Sequence, residues 1–301
     1  TSGTTGKPKG VLIEHKNVVR LFKTDSPLFD FTDKDVWTMF HSYAFDFSVW
    51  EMYGALLNGG KLVLIPKSVA QDPKLYLELL REEQVTILNQ TPSAFYNLSE
   101  SELTEDKPDL KIRYVIFGGE ALSPRKLGKW NERYKDCNLI NMYGITETTV
   151  HTTYKKITEE DIQNDKSNIG KPIPTVSCLV LDKNQKLLPI GVSGELYIGG
   201  EGVARGYLNR DELTKEKFIA SPFDPEGILY RSGDKVKRLT NGDLEYLGRI
   251  DDQVKIRGYR IELGEIESAL LREESIEEVV VQARENDSGE KELIAYITSK
   301  A

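Results

Sequence analysis

The chain has 301 residues, 39% hydrophobic and 29% charged, with a formal net charge of −8, enough apolar material for one large or two modest cores. The acidic balance argues against a nucleic-acid surface, which needs clustered Lys and Arg. No apolar run approaches the roughly 20 residues that span a bilayer, so a soluble, cytoplasmic protein without membrane or nucleic-acid partners is expected. Cys137 and Cys178 both lie in apolar strand-like runs, and His15, His41 and His151 are scattered. That pattern points to buried thiols, with neither a disulfide framework nor a zinc site.

Residues 1–10 read TSGTTGKPKG. Glycines let backbone approach an anion, hydroxyls donate to its oxygens and lysine adds charge, so the decamer suits a phosphate loop. The spacing from Gly3 to Lys7 is not the Walker pattern, and the same residues also make an ordinary surface turn. From 36 to 143, short apolar runs alternate with helix-length amphipathic segments, which predicts a parallel sheet with crossover helices. The strands are VWTMFH (36–41), KLVLI (61–65), VTILNQ (85–90), YVIFGG (114–119) and LINMYG (139–144). Helices are expected over 48–58, 73–84, 93–100 and 123–134, the last opened by Ser123 as cap and Pro124 in its first turn.

From 170 the texture changes to VSCLVLD, GELYIGG, ILYRSGD, VKRL and LEYLGR, separated by Gly, Asn and Asp turns, which predicts a small antiparallel unit. After Arg249 come QVKIRGYRI, the amphipathic helix EIESALL (265–271) and two strands, EEVVVQA and ELIAYIT. These read as the start of an α+β unit. The expected class is therefore α/β: residues 1–169 form the parallel-sheet part, 170–249 the antiparallel unit and 250–301 the beginning of a C-terminal α+β subdomain.

In an open parallel sheet ligands sit beyond the carboxyl ends of the strands. Those ends read HSYAFDFSVW (41–50), NQTPS (89–93), FGGEALSP (117–124) and NMYGITETT (141–149), and later YRSGD (230–234) and GRIDDQVKIRGYRIELGEIE (248–267) follow. With the opening loop, this ordered series resembles the adenylate-forming enzymes, specifically the amino-acid adenylation domains of nonribosomal peptide synthetases. The resemblance implies formation of an acyl adenylate from a carboxylate and ATP with release of pyrophosphate. The acyl group then passes to a phosphopantetheine thiol on a partner carrier domain, beside a condensation domain.

It also implies roles for individual residues. Thr1, Ser2, Gly3, Thr4, Thr5, Gly6 and Lys7 would surround the β- and γ-phosphates, with Thr1 and Lys7 also catalytic. Gly119, Glu120 and Ala121 would line the adenine edge, and Tyr143 would flank the ring. Asn141, Gly144, Thr146 and Tyr246 complete the expected ATP site. Glu147 would hold Mg²⁺ as a hard carboxylate ligand. Asp234 would accept from the ribose hydroxyls, with Arg249 nearby as a further catalytic residue. Asp251 falls at the family's hinge. Singly, an SGD is also a turn and the Glu of TET also a solvated side chain.

Asp46 discriminates within the superfamily, because a substrate ammonium among apolar walls needs a charge-assisted partner; alternatively it caps the helix beginning near Ser48. By motif position the substrate pocket comprises Asp46, Phe47, Trp50, Asn89, Ile116, Gly118, Met142, Val150 and His151, a set resembling the signature of threonine-activating domains. Asn89 and His151 offer hydrogen bonds to a side-chain hydroxyl, or to ordered water, and the rest supply apolar walls. The chain starts without Met inside a motif and ends without the family's Pro-Asn-Gly-Lys type lysine. A piece of a longer protein, with at most trace adenylation alone, is expected. Two other readings share features with this one: an acyl- or aryl-CoA ligase, disfavoured by Asp46 and by the long QVKIRGYRIELGEIE segment, and a catalytically silent nucleotide-binding scaffold.

Overall fold

Five short strands, β1 (Val36–Met39), β2 (Lys61–Leu64), β3 (Ile87–Gln90), β4 (Tyr114–Phe117) and β5 (Asn138–Asn141), pair in parallel in the order β2-β1-β3-β4-β5. They belong to a computed structural model that describes residues 9–105, 109–251, 253–256, 258–285 and 291–299. Each strand matches an expected run, and most stop short of its carboxyl end. Gly119, at φ +84°, turns the chain out of β4 in a conformation that suits glycine.

The crossover helices are set by local chemistry. Asp72 accepts from the backbone N–H of Lys74 and Leu75 and Pro73 occupies the first turn, so helix Pro73–Glu82 starts there and buries Tyr76, Leu77 and Leu80. Thr91 caps helix Pro92–Leu103 in the same way. Helix Phe47–Leu57 lies against β1 through Gly54, where an added Cβ would fall 2.4 Å from the Trp37 ring. The helix expected over 123–134 is instead a 3-10 turn, Pro124–Leu127, followed by helix Gly128–Arg133. Ser123 does not cap it, because its hydroxyl donates to Asp165 at 2.8 Å.

Beyond β5 the same sheet continues antiparallel through β6 (Thr153–Lys156), β7 (Asn168–Pro172), β8 (Val176–Leu181), β9 (Ser193–Gly200), β10 (Phe218–Ala220), β11 (Ile228–Arg238) and β12 (Leu244–Arg249). The path is β5-β6-β7-β12-β11-β9-β8, with β10 beside β11, giving twelve strands among the described residues. The change of texture at 170 thus falls inside β7. The segments ILYRSGD and VKRL are one strand, β11, rather than two separated by a turn, because an irregularity between Asp234 and Val236 absorbs the Gly-Asp pair. After β12 come the hairpin β13 (Val254–Ile256) and β14 (Tyr259–Ile261), helix Leu263–Leu270, and the pair β15 (Ile276–Glu285) and β16 (Lys291–Ser299).

Alternate residues of β4 enter different cores, as a pleated strand requires. Val115 and Phe117 join Leu77, Phe95 and Trp130, while Ile116 joins Trp37, Trp50 and Ile140. A third core, including Ile198, Tyr230 and Leu244, fills the antiparallel part. Cys137 and Cys178 are free and buried. No described helix is long and apolar enough to cross a membrane.

Candidate active site

The strand order reverses between β1 and β3, so the loops that follow them leave in different directions and open a crevice at their carboxyl ends. A cleft of about 1520 Å³ lies there, lined by His41, Ser42 and Ala44–Phe47 after β1, Thr91–Ala94 after β3, Gly119–Ala121 after β4 and Met142 and Gly144–Thr146 after β5. A smaller cavity of about 300 Å³ adjoins it, sharing Gly119, Glu120 and Ala121 and adding Asn141, Tyr143, Tyr246 and Arg249. The expected phosphate-loop residues Thr1 to Lys7 lie outside the described residues.

Of four carboxylates at the site, Asp46 and Glu120 line the large cleft, whereas Glu147 and Asp234 line neither cavity and are bonded to Arg260 and Arg249, which do. Asp46 precedes helix Phe47–Leu57 but forms no side-chain cap, and its Oδ2 accepts from the Thr146 hydroxyl at 2.7 Å. Burial raises its pKa, against the Thr146 hydrogen bond and the nearby charge of Lys255. Glu147 is wholly buried, its Oε1 accepting from the Tyr207 hydroxyl at 2.7 Å and its Oε2 from Arg260 Nη1 at 2.8 Å. Burial opposes its ionisation, but the Arg260 charge and the Tyr207 hydroxyl outweigh that and hold it down at about 2. Asp234 is also wholly buried, accepting from the Tyr143 hydroxyl on Oδ2 and from Arg249 Nη1 at 3.2 Å on Oδ1. Arg249 is in turn held by Asp251 at 2.8 and 2.5 Å. Glu120 accepts from the Ser93 hydroxyl at 2.6 Å and from the Gly258 N–H at 2.7 Å.

The other expected nucleotide residues divide between lining and framework. Tyr143 and Tyr246 face one another with centroids 6.1 Å apart. Asn141 spends its amide on the Asn168 carbonyl at 2.9 Å. Gly144 admits no side chain, since a Cβ would sit 1.8 Å from the Val150 carbonyl oxygen. Among the described residues no group of three or more His, Cys, Asp or Glu side chains is arranged to hold a metal. Mg²⁺ nevertheless suits a site of one carboxylate, because it commonly takes its other ligands from phosphate oxygens and water.

Of the nine expected pocket residues, Asp46, Phe47, Met142, Val150 and His151 line the large cleft. Trp50, Asn89, Ile116 and Gly118 lie beneath them. Trp50 Nε1 donates to Asn89 Oδ1 at 2.9 Å, and the Trp50 ring meets His151 edge-on at 4.7 Å. Gly118 makes room for Phe47, whose ring would be 3.1 Å from an added Cβ. Asn89 Nδ2 and both nitrogens of His151 are buried without a hydrogen-bond partner. Burial, with the charges of Arg20 and His41, lowers the His151 pKa to about 3, so the ring is neutral.

Two residues unassigned from the sequence belong to the site. Lys255 and Arg260 pair across the β13–β14 hairpin and therefore share a face. Like charges placed opposite one another repel, unless each meets an acid. Arg260 meets Glu147, and Lys255 lines the cleft with Asp46 and Asp234 as its attractive neighbours, burial lowering its pKa. The signal was in KIRGYR: a short turn at Gly258, φ +78°, brings positions 255 and 260 together. His41 and Glu51 were also missed. His41 Nδ1 lies 2.9 Å from Glu51 Oε1, and its ring stacks on Phe47 at 4.3 Å.

Comparison with known proteins places these features in a family context. A family model described as AMP-binding enzyme matches residues 1–208. The chain is 52% identical over 306 residues to the dimodular nonribosomal peptide synthase of Bacillus subtilis (strain 168), covering 99% of this chain and 13% of that protein. It is 44% identical to syringomycin synthase SyrB1 of Pseudomonas syringae pv. syringae, over 99% of this chain and 48% of that protein. It therefore spans only part of the length of these relatives. Among solved structures, holo-PA1221, an NRPS protein containing adenylation and PCP domains bound to a vinylsulfonamide inhibitor, superposes with a TM-score of 0.90 at 32% identity, covering 100% of this chain and 52% of that one. The Vibrio cholerae adenylation domain AlmE, in complex with glycyl-adenosine-5'-phosphate, superposes with a TM-score of 0.84 at 28% identity, covering 99% and 56%.

Proposed function

The chain belongs to the AMP-binding enzyme family, and from that premise we propose that it is an amino-acid adenylation unit of a nonribosomal peptide synthetase, activating threonine with ATP. One observation carries the amino-acid reading: Asp46 and His151 line the same cleft, with Trp50 packed edge-on against His151 and bonded to Asn89. An α-ammonium docked at Asp46 places the side chain over His151 and Asn89, whose unpaired nitrogens suit a hydroxyl. Phe47, Met142 and Val150 then enclose a methyl. Similarity to peptide synthetases along nearly the whole chain, and the structural likeness to a domain holding an aminoacyl adenylate, support this choice within the family.

In this mechanism a carboxylate oxygen of the amino acid attacks the α-phosphorus and pyrophosphate leaves. Tyr143 and Tyr246 flank the adenine, and Gly119 to Ala121 follow its edge. Asp234, with Arg249 beside it, serves the ribose. Mg²⁺ held by Glu147 would offset phosphate charge. A phosphopantetheine thiol of a carrier domain then attacks the acyl carbon, forming the thioester and releasing AMP. Asp251 marks the hinge of the segment that carries the β13–β14 hairpin.

Amino-acid-dependent pyrophosphate exchange by the complete protein tests the proposal. A site built to bond a hydroxyl rejects the analogue that lacks it by as much as about 10⁴-fold, whereas one methyl is worth only roughly 1–3 kcal/mol. The expected order is threonine, then serine, then valine. Preference for valine, or for an aromatic or acidic amino acid, would refute the threonine assignment, and exchange with no amino acid would refute the adenylation reading.

A further inference from the structure

Arg20, just past helix His15–Val19, is 4% exposed and lines neither cavity. Its Nη2 donates to the carbonyl oxygens of Thr148 at 2.9 Å and of Thr149 and His151 at 3.3 Å, and its Nε donates to that of Asn17 at 3.2 Å. Among the described residues no carboxylate is hydrogen-bonded to it. A buried guanidinium without such a partner is costly, and what the fold gains from it is the shape of the segment it grips. That segment is strained. Thr149, at φ 61° and ψ 79°, and Val150, at φ 62°, both lie in the left-handed region, which β-branched residues rarely adopt. The His151 N–H donates to the Thr149 carbonyl at 2.8 Å, closing around Val150 a γ-turn of the positive-φ kind, a rare and strained form.

We propose that Arg20 is a positioning residue for the amino-acid pocket, holding the strained 148–151 turn so that Val150 and His151 present their side chains to the substrate. The proposal rests on the reading of the cleft as an amino-acid site. Strained backbone persists only where its surroundings over-determine it. Here the guanidinium gathers three carbonyls of the turn, and the Thr149 hydroxyl donates to the Gly202 carbonyl at 2.9 Å. Gly202 leaves room for this grip, since an added Cβ would stand 2.4 Å from Arg20 Nη2 and 3.0 Å from the Thr148 carbonyl oxygen. The result faces the cleft, which Val150 and His151 line. Burial first, and the Arg20 charge after it, keep the His151 ring neutral. Glu147, just before the turn, is tied separately to Tyr207 and Arg260, so the nucleotide side keeps its own supports.

Pyrophosphate exchange by the complete protein tests this, comparing wild type, Arg20→Met and Gly202→Ala. The second variant crowds the guanidinium without removing its charge, at a residue whose backbone lies outside the left-handed region. KM is measured for ATP and for the amino acid that the wild type prefers, expected to be threonine. Arg20→Met should raise the amino-acid KM by about tenfold or more, the worth of a hydrogen bond to a charged group, and leave the ATP KM within about twofold. It should also narrow the preference over the next-best amino acid, and Gly202→Ala should move both quantities the same way by less. A fall in kcat with both KM values and the preference unchanged, or equal rises in both KM values, reduces Arg20 to support of the fold and overturns the proposal while the adenylation reading stands. Should Arg20→Met fail to fold, an amino-acid KM unchanged in Gly202→Ala is sufficient to overturn it. Absence of exchange with any amino acid in the wild type overturns the proposal together with the adenylation reading.

Discussion

Asp46 is partly buried in the wall of the cleft, and its carboxylate is held by one hydroxyl, that of Thr146 at 2.7 Å, with Lys255 as the neighbouring charge. A bound ammonium would complete that arrangement, and truncating one partner of a buried charge pair costs roughly 3–5 kcal/mol. Asp46→Ala should therefore weaken amino-acid binding by roughly two to four powers of ten while ATP-analogue affinity changes little; equal losses for both ligands would remove Asp46 from the amino-acid pocket. His151 makes a different prediction, because its ring is neutral and unpaired between Phe47 and Trp50. Its folded pKa of about 3 lies below the ordinary 6.5, so its contribution to stability is fully present above pH 6.5 and is lost progressively as pH falls from there toward 3. The slope from this one group approaches about 1.4 kcal/mol per pH unit. Urea unfolding between pH 7.5 and 5 should show a shallower loss in His151→Gln than in the wild type, and identical slopes would mean that the imidazole is not buried neutral.

At the scale of elements, the junction between the parallel and antiparallel parts depends on β7 crossing close to β6. Gly170, at φ +75°, sits where a Cβ would lie 2.0 Å from the Tyr154 carbonyl oxygen. Gly191, at φ +85°, has nothing within 4 Å of its added Cβ. A left-handed conformation costs a non-glycine residue roughly 1–2 kcal/mol, and overpacking adds about 1–3 kcal/mol. Thermal unfolding should therefore place Gly170→Ala several degrees below Gly191→Ala, and equal midpoints would show that the crossing tolerates a methyl group. The periodic elements were readable from sequence because apolar alternation and caps such as Asp72 and Thr91 act locally. Ser123 misled because Asp165, distant in sequence, takes its hydroxyl, and β11 was split because a bulge at Asp234 looks like a turn when its partner β12 is not considered. Motif order named some of the residues that line the cleft, such as Asp46, Phe47, Met142, Val150 and His151, along with others that do not, such as Trp50 and Asn89. What could not be read was the closure of the hairpin, since the pairing of Arg260 with Glu147 joins segments far apart in the chain and is fixed only once β12 and β14 are in place.

Across the whole molecule, burial is unevenly distributed. The twelve-stranded sheet carries fully buried side chains on both sides, such as Trp37 and Ile116 on one and Phe117 on the other, and is continuous from β2 to β8. Among the described residues after Arg249, the buried hydrophobics are Ile276 and Val281, while Val280, Tyr296 and Ile297 are 53%, 46% and 57% exposed. Helix Leu263–Leu270 is tied to β15 by a hydrogen bond from the Val281 N–H to Glu267 Oε1 at 2.8 Å, a modest contribution of about 0.5–1.5 kcal/mol. A two-stranded ladder with one helix and so little buried apolar surface is marginal by itself, and its opening need not disturb the large sheet. Native-state hydrogen exchange should thus find β15 and β16 amides protected by only a few kcal/mol, exchanging through local opening, whereas β4 and β5 exchange only with global unfolding at about 5–15 kcal/mol. Low urea should leave the first class nearly unchanged and strongly accelerate the second, because a small opening exposes little surface and global unfolding exposes much. Equal protection and equal urea dependence in both regions would mean that the chain unfolds as one cooperative unit.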